Sequence, residues 1–259
     1  MNSQSWHIEA RHFLLPKSGY TLNECEDAIG INTSALRYAV ADGATEAFDS
    51  QTWAHQLAHS WVTHEPPALA LEDFRSWAAD EGQRLHSSWS GLRLSWYAQE
   101  KALGGSFAAF VGLQFEMLNG SPPRWQAIAL GDSCLVRCRD EEIREALPLA
   151  DYESFNAAPL LLPSLGSMQE AALSHTAVRS GMVEQGDVFL LLSDAAAAWF
   201  LLMSLKRDPA RSEFETLLAS AREEELGRFF DEQRLSGRIK DDDIAIIRIA
   251  FELNAHPET

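Results

Sequence analysis

Five aspartates stand where strand-forming runs begin or end. Asp42 closes the run 36–41, Asp132 follows 125–131, and Asp194 closes 188–193, while Asp27 opens 28–31 and Asp242 precedes 243–249. In an antiparallel sheet the end of one strand and the start of its neighbour share an edge, so carboxylates far apart in sequence can converge there. A cluster of hard oxygen donors is the chemistry that gathers hard divalent cations.

Side-chain parity sharpens this expectation, because alternate residues of a strand share a face. Asp42 has the parity of Leu36, Tyr38 and Val40, Asp132 that of Ile128 and Leu130, and Asp27 that of Ile29 and Ile31. Asp194 goes with Leu190 and Leu192, and Asp242 with Ile244 and Ile246. Each carboxylate is thereby expected at the rim of a core, pointing inward. A single aspartate of this kind is an ordinary turn residue that hydrogen-bonds its own backbone; five with matching parity are not.

The elements that must position these residues follow from periodicity. Strand signals fill residues 6–41, 105–139, 173–193 and 243–253. Between them, Trp53, Leu57 and Trp61 mark an apolar helical stripe over 50–63, with Asp49 or Ser50 able to cap its start. Further helices are expected from about Leu69 to Ser88 and from Leu92 to Leu103, then over 196–206 and 211–235. Asn119-Gly120 reads as a hairpin turn, and residues 151–172 as a surface flap. Strands at both ends with helices inserted between them predict a single α+β domain over 1–259, built from two sheets.

At 259 residues the chain can fill one core. Its formal charge of -17 argues against nucleic-acid and anionic-membrane partners, which reward a basic face. Cys25, Cys134 and Cys138 have neither disulfide-framework nor zinc-site spacing, which suits a reducing, cytoplasmic setting, and the first residues lack the apolar stretch of a secretory signal. The apolar run 188–205 approaches bilayer length, but Asp194 would then sit mid-membrane at about 2.5 to 3.5 kcal/mol, so a buried strand, a break and a helix are expected there.

In order along the chain, Glu26-Asp27-Ala28, Val40-Ala-Asp-Gly43, Gly105-Ser106-Phe-Ala-Ala109, Ala129-Leu-Gly-Asp-Ser133, the block Gly186 to Asp194 and Asp242-Asp-Ile-Ala-Ile-Ile247 resemble the motifs of the metal-dependent serine/threonine protein phosphatases of type 2C. The resemblance spans residues 24–251 and rests on the order and spacing of the blocks together. It implies a four-layer α-β-β-α sandwich of two antiparallel sheets flanked by helices, with two Mn2+ or Mg2+ ions at one end and a weaker third. It further implies that Asp42 bridges the two ions, that the Gly43 carbonyl binds one, and that Asp194 and Asp242 complete the first. Glu26 and Asp27 would hold the second or its waters, and Asp132 with Asp194 the third. Asp42, Asp194 and Asp242 are then the catalytic set, and the implied reaction is attack of a metal-bridging hydroxide on phosphoserine or phosphothreonine of a protein substrate, carried out by a monomer.

The chain departs from that pattern. Thr21-Leu22-Asn23 stands where the family often has a phosphate-clamping arginine, leaving Arg11 or Lys17 as substitutes. Ala195 replaces a glycine, Phe107 a threonine, and Ala44 to Asp49 a glycine-rich stretch in which Glu46 reads as a solvated loop residue. His55 and His59 lie four apart on a helix but lack the glutamate that would support a metal pair, and His55 is a loose match to a general acid. A catalytically silent phosphoprotein-binding module is therefore the alternative reading. Calcium storage has no Asp-x-Asp-x-Asp-Gly loop to support it.

Overall fold

Strands with apolar residues on both faces need cover on both sides, and that requirement sets the layering. In β3 (Arg37–Gly43), Tyr38 and Val40 alternate with Ala39 and Ala41, and all four are buried. The computed structural model describes residues 5–64, 71–118, 121–156, 158–220 and 222–254. One antiparallel sheet runs β2 (Asp27–Asn32), β3, β4 (Phe107–Glu116), β5 (Arg124–Leu130) and β9 (Ala177–Met182), with the short β8 (Leu162–Pro163) beside the start of β4. The other runs β1 (Ser5–Leu15), β11 (Ile244–Asn254), β10 (Val188–Leu192), β6 (Cys134–Arg139) and β7 (Glu142–Leu147), also antiparallel.

The sheets face each other across a core that includes Tyr38, Val40, Val111, Phe189, Leu191 and Ile247. Over the first sheet, α1 (Ser50–Thr63) and α2 (Leu71–Ser88) lay Trp53, Leu57, Trp61 and Phe74 against Phe110 and Ile128. Over the second, α5 (Asp194–Lys206), α6 (Pro209–Ala219) and α7 (Glu223–Leu235) pack Trp199, Phe214 and Phe230 on Leu190, Leu192 and Ile246. The expected α-β-β-α layering is what the chain adopts. The run 188–205 resolves into β10 and α5, and among the described residues no helix is long and apolar enough to cross a membrane.

Several local expectations are corrected. The helix over 211–235 is two helices: Asp208 caps α6 through the Ala210 N–H (3.0 Å) with Pro209 in its first turn, and Glu223, Glu224 and Glu225 open α7 where acidic groups complement the helix dipole. The helix expected from Leu92 is α3 (Trp96–Gly104), capped by Ser95 through the Ala98 N–H. Asp49 precedes α1 without capping it, because its carboxylate accepts from Thr52 Oγ1 and Trp89 Nε1 instead.

The stretch 151–172 is not a surface flap throughout. Leu162, Pro163 and Ser164 are buried, β8 pairs with β4, and Trp53 Nε1 donates to the Leu162 carbonyl at 3.0 Å. It also carries α4 (Gln169–Leu173). The residues around Leu69 that precede α2, and the Asn119-Gly120 turn, lie outside the described residues.

Candidate metal centre

One end of the sandwich collects the ends of strands from both sheets. In the first sheet these are the start of β2, the end of β3, the start of β4 and the end of β5; in the second, the end of β10 and the starts of β6 and β11. Residues 131–133 cross from β5 in one sheet to β6 in the other at this end, so Asp132 sits on the crossing. Gly131 turns there with φ +96°, and a Cβ on it would lie 2.7 Å from the Ala109 Cβ, so the crossing hugs β4 only because the side chain is missing.

A cleft of about 180 Å³ opens at this end, lined by Glu26, Asp42, Gly43, Asp132, Asp194 and Asp242 together with Thr45 and Lys240. Of the seven positions singled out from sequence, all but Asp27 line it. Asp27 lies just beneath, almost fully buried and directly opposite Asp42 in the β2–β3 register. A larger cleft, about 990 Å³, lies at the opposite end of the first sheet among Arg37, Glu81, Arg84 and Arg124. It holds a mixed set of charges and none of these seven residues.

Parity alone does not account for the convergence. Tyr38 and Val40 face the other sheet, as expected of Asp42, but Leu190, Leu192, Ile244 and Ile246 face the outer helices, and Ile128 and Leu130 face α1 and α2. Asp132, Asp194 and Asp242 escape that alternation because they lie past the strand ends, in a turn, a helix start and a loop. Ser193 ties two of these pieces together: its Oγ accepts the Ala245 N–H at 2.9 Å and its own N–H reaches the Ala245 carbonyl at 3.0 Å, which sets Asp194 beside the start of β11. Ser193 also hydrogen-bonds Asp27.

Three consecutive aspartates divide the work at the start of β11. Asp241 accepts the Ser18 N–H at 3.0 Å on the exposed side. Asp243 is buried and accepts the N–H groups of Lys17 and Glu26, each at 2.8 Å, stitching the β1–β2 connection to β11. Asp242 faces the cleft with its Oδ2 on the Lys240 ammonium at 2.5 Å.

Glu26 reaches the same cleft from the other side, accepting from Thr45 Oγ1 at 2.6 Å and Lys17 Nζ at 3.4 Å. The loop after Gly43 is pinned by the Ala44 N–H to Phe107 carbonyl bond (2.9 Å) and by Ser106 Oγ donating to the Phe48 carbonyl. In the Gly186-Asp187 block, Asp187 is a buried partner of Arg137 and Arg139.

Electrostatics mark the cleft as a place where negative charge is crowded. Desolvation pushes Asp27 and Asp42 well above the usual carboxylate range. Repulsion adds to this: from Asp194, Asp243 and Asp242 at Asp27, and from Asp27, Asp194, Asp132 and Asp242 at Asp42. The Ser193 hydrogen bond opposes the shift at Asp27. Asp132 is raised to about 6, by burial first and then by Asp194. Asp194 is raised by burial, with Lys240 pulling the other way. Asp27 Oδ2 is buried without a hydrogen-bond partner. An all-oxygen donor set of this charge, with an orphaned buried oxygen, fits a hard divalent cation. Among the described residues no group of three or more His, Cys, Asp or Glu side chains is placed so that it could hold a metal ion without side-chain movement.

Searches of the sequence found no matching family model and no matching curated protein. Solved structures do match across nearly the whole chain. The catalytic domain of the serine/threonine protein phosphatase PstP, solved with two manganese ions, superposes with a TM-score of 0.58 at 15% identity, covering 96% of this chain and 100% of that one. The fold is that of the type 2C protein phosphatases. The serine/threonine phosphatase Stp1 from Staphylococcus aureus gives a TM-score of 0.59 at 16% identity, with 96% and 97% covered. PppA from Pseudomonas aeruginosa, described as a key regulatory component of T6SS, gives 0.55 at 20%, with 96% and 100% covered.

Within this type 2C fold, the basic residues fall differently from the sequence expectation. Arg11 pairs with Glu9 on β1, opposite Arg248, and does not line the cleft. Lys17 reaches the cleft's edge through Glu26, with its ammonium 4.6 Å from the Tyr20 ring centroid. His55, His59 and Glu46 are exposed and outside the cleft lining. Lys240 was not foreseen, and its signal was a lone cation placed immediately before three aspartates.

Proposed function

We propose that this protein is a divalent-metal-dependent phosphatase that hydrolyses phosphoserine or phosphothreonine on protein substrates. The observation that carries this reading is the meeting of Asp42, Asp132, Asp194 and Asp242 with Gly43 in one cleft, above a buried Asp27 whose Oδ2 has no partner. The type 2C fold supports it. Asp42, Asp194 and Asp242 would hold a first Mn2+ or Mg2+, Asp42 with Asp27 and Glu26 a second or its waters, the Gly43 carbonyl one of these two, and Asp132 with Asp194 a weaker third. Such ions supply Lewis-acid neutralisation of phosphoryl oxygens and an acidified water nucleophile.

The chain's own residues make that chemistry possible by position. Ser193 and Asp243 fix the strand ends on which Asp194 and Asp242 ride, and the β2–β3 register presents Asp27 and Asp42 together. Lys240 in the cleft and Lys17 at its edge offset part of its acidic charge and so lessen the repulsion that an incoming phosphate dianion would meet. We place this activity in a monomer within a reducing compartment, in keeping with three buried thiols, none of them in a disulfide.

One observation favours the silent-module alternative: Lys240 already offsets Asp194 and Asp242 with no metal needed. Release of phosphate from phosphoserine and phosphothreonine peptides with Mn2+, comparing the parent with Asp42→Ala and Asp194→Ala, separates the two. Metal-dependent turnover in the parent alone supports the enzyme. Equal background rates in all three leave only the binding module.

A further inference from the structure

Lys240 is the feature of the cleft that the acidic set does not explain. Its Nζ lies 2.5 Å from Asp242 Oδ2 and 3.3 Å from Asp194 Oδ2, so one ammonium spans two carboxylates from separate segments, the loop before β11 and the start of α5. A tight turn, closed by the Asp242 N–H on the Lys240 carbonyl at 3.0 Å, brings the Lys240 side chain back onto Asp242, two residues on. Yet 65% of that side chain remains exposed.

The loop does not depend on these ion pairs for its shape. Arg234, nearly buried on α7, donates to the Asp242 carbonyl at 2.6 Å and sits 3.4 Å from Asp241, while Asp243 is locked to the β1–β2 connection. The ammonium can therefore swing into solvent without unmaking the scaffold beneath it. Leaving the two carboxylates unpaired, however, would raise the repulsion among like charges already crowded at this edge.

We infer that Lys240 is a tethered counter-cation: it holds Asp194 and Asp242 together before a divalent ion binds, gives way when one does, and so sets the metal concentration at which the site fills. The inference rests on the metal-centre reading above, since it assigns the ammonium and the metal to the same two carboxylates. Exchange of a tethered monovalent cation for a free divalent one makes metal affinity lower than the acidic set alone would give, and leaves the metal-free protein better balanced.

Calorimetric titration of Mn2+ into the metal-free full chain tests this in the parent, Lys240→Gln and Lys240→Arg, alongside thermal unfolding of each without metal. Lys240→Gln is expected to bind Mn2+ about three- to tenfold more tightly, the range that loss of partly exposed ion pairs supplies. Without metal it melts below the parent, and the deficit closes at saturating Mn2+. Lys240→Arg keeps the charge and stays within about twofold of the parent, because the expected change comes from charge. Equal or weaker Mn2+ binding by Lys240→Gln overturns the role of the lysine while leaving the metal centre standing. No saturable Mn2+ binding by the parent overturns the metal centre and this inference with it.

Discussion

Asp27 and Asp42 stand directly opposite each other on neighbouring antiparallel strands, β2 and β3. Like charges so placed destabilise a sheet by about 0.2 to 1 kcal/mol relative to neutral pairs, and here burial sharpens the conflict. Asp42→Asn is therefore expected to make the metal-free protein more resistant to urea by an amount in that range. The same change should lower Mn2+-dependent turnover by about a hundredfold or more, the scale on which loss of one transition-state contact is felt. A variant that is both inactive and less stable without metal would contradict the charge-crowding argument.

The crowded carboxylates also set a pH dependence. Asp27, Asp42, Asp132 and Asp194 all hold their protons more tightly in the folded protein than an ordinary aspartate does, whose pKa is near 4. Their contribution to stability is fully present below that unfolded value and is lost as pH rises, through about 6 in the case of Asp132. The metal-free protein should thus unfold at lower urea at pH 7 than at pH 5. Asp132→Asn removes one such proton and should flatten the decline; an unchanged slope would show that Asp132 is not part of it.

The layers were legible in sequence because strands with two apolar faces and a helix striped by Trp53, Leu57 and Trp61 allow few other arrangements. The convergence at one edge was legible too, but the parity offered for it governs only residues inside strands. Asp132, Asp194 and Asp242 lie beyond the strand ends, where Gly131, Ser193 and the turn at Lys240 decide direction. These are contacts between segments more than fifty residues apart, or turns without periodicity, and no local pattern records them. The burial of Leu162 to Ser164 escaped for the same reason: a short Pro-containing segment reads as a loop until its partner strand β4 is known.

Gly43 owes its identity to packing as well as to any ligand role. A Cβ at this position would lie 2.6 Å from the Ser50 carbonyl oxygen and 2.8 Å from its carbon, backbone atoms at the first turn of α1 that cannot rotate away. Gly43→Ala should cost about 1 to 3 kcal/mol, the usual range for overpacking, and should push α1 off the end of β3. Gly227→Ala makes the matched control: it lies inside α7 with nothing within 4 Å, so it should gain roughly 0.5 to 1 kcal/mol from helix propensity. Chemical denaturation of both variants checks the pair, and a neutral Gly43→Ala would remove the packing argument.

Asp242 and Asp243 are neighbours with opposite expected phenotypes. Asp243 satisfies two backbone N–H groups from the β1–β2 connection in a buried setting, so Asp243→Ala leaves donors without partners at about 1 to 3 kcal/mol each. Asp243→Asn keeps one side-chain carbonyl oxygen as an acceptor and should recover part of that loss. Asp242 instead points its carboxylate into the cleft, where its side-chain partners are Lys240 Nζ and the N–H of the residue after it. Asp242→Ala should therefore stay within about 1 kcal/mol of the parent in urea unfolding while losing most of its Mn2+ binding by calorimetry. Asp243→Asn should retain binding. Crossed results, with Asp242→Ala unstable and Asp243→Asn unable to hold Mn2+, would mean that the two residues have exchanged the roles given to them.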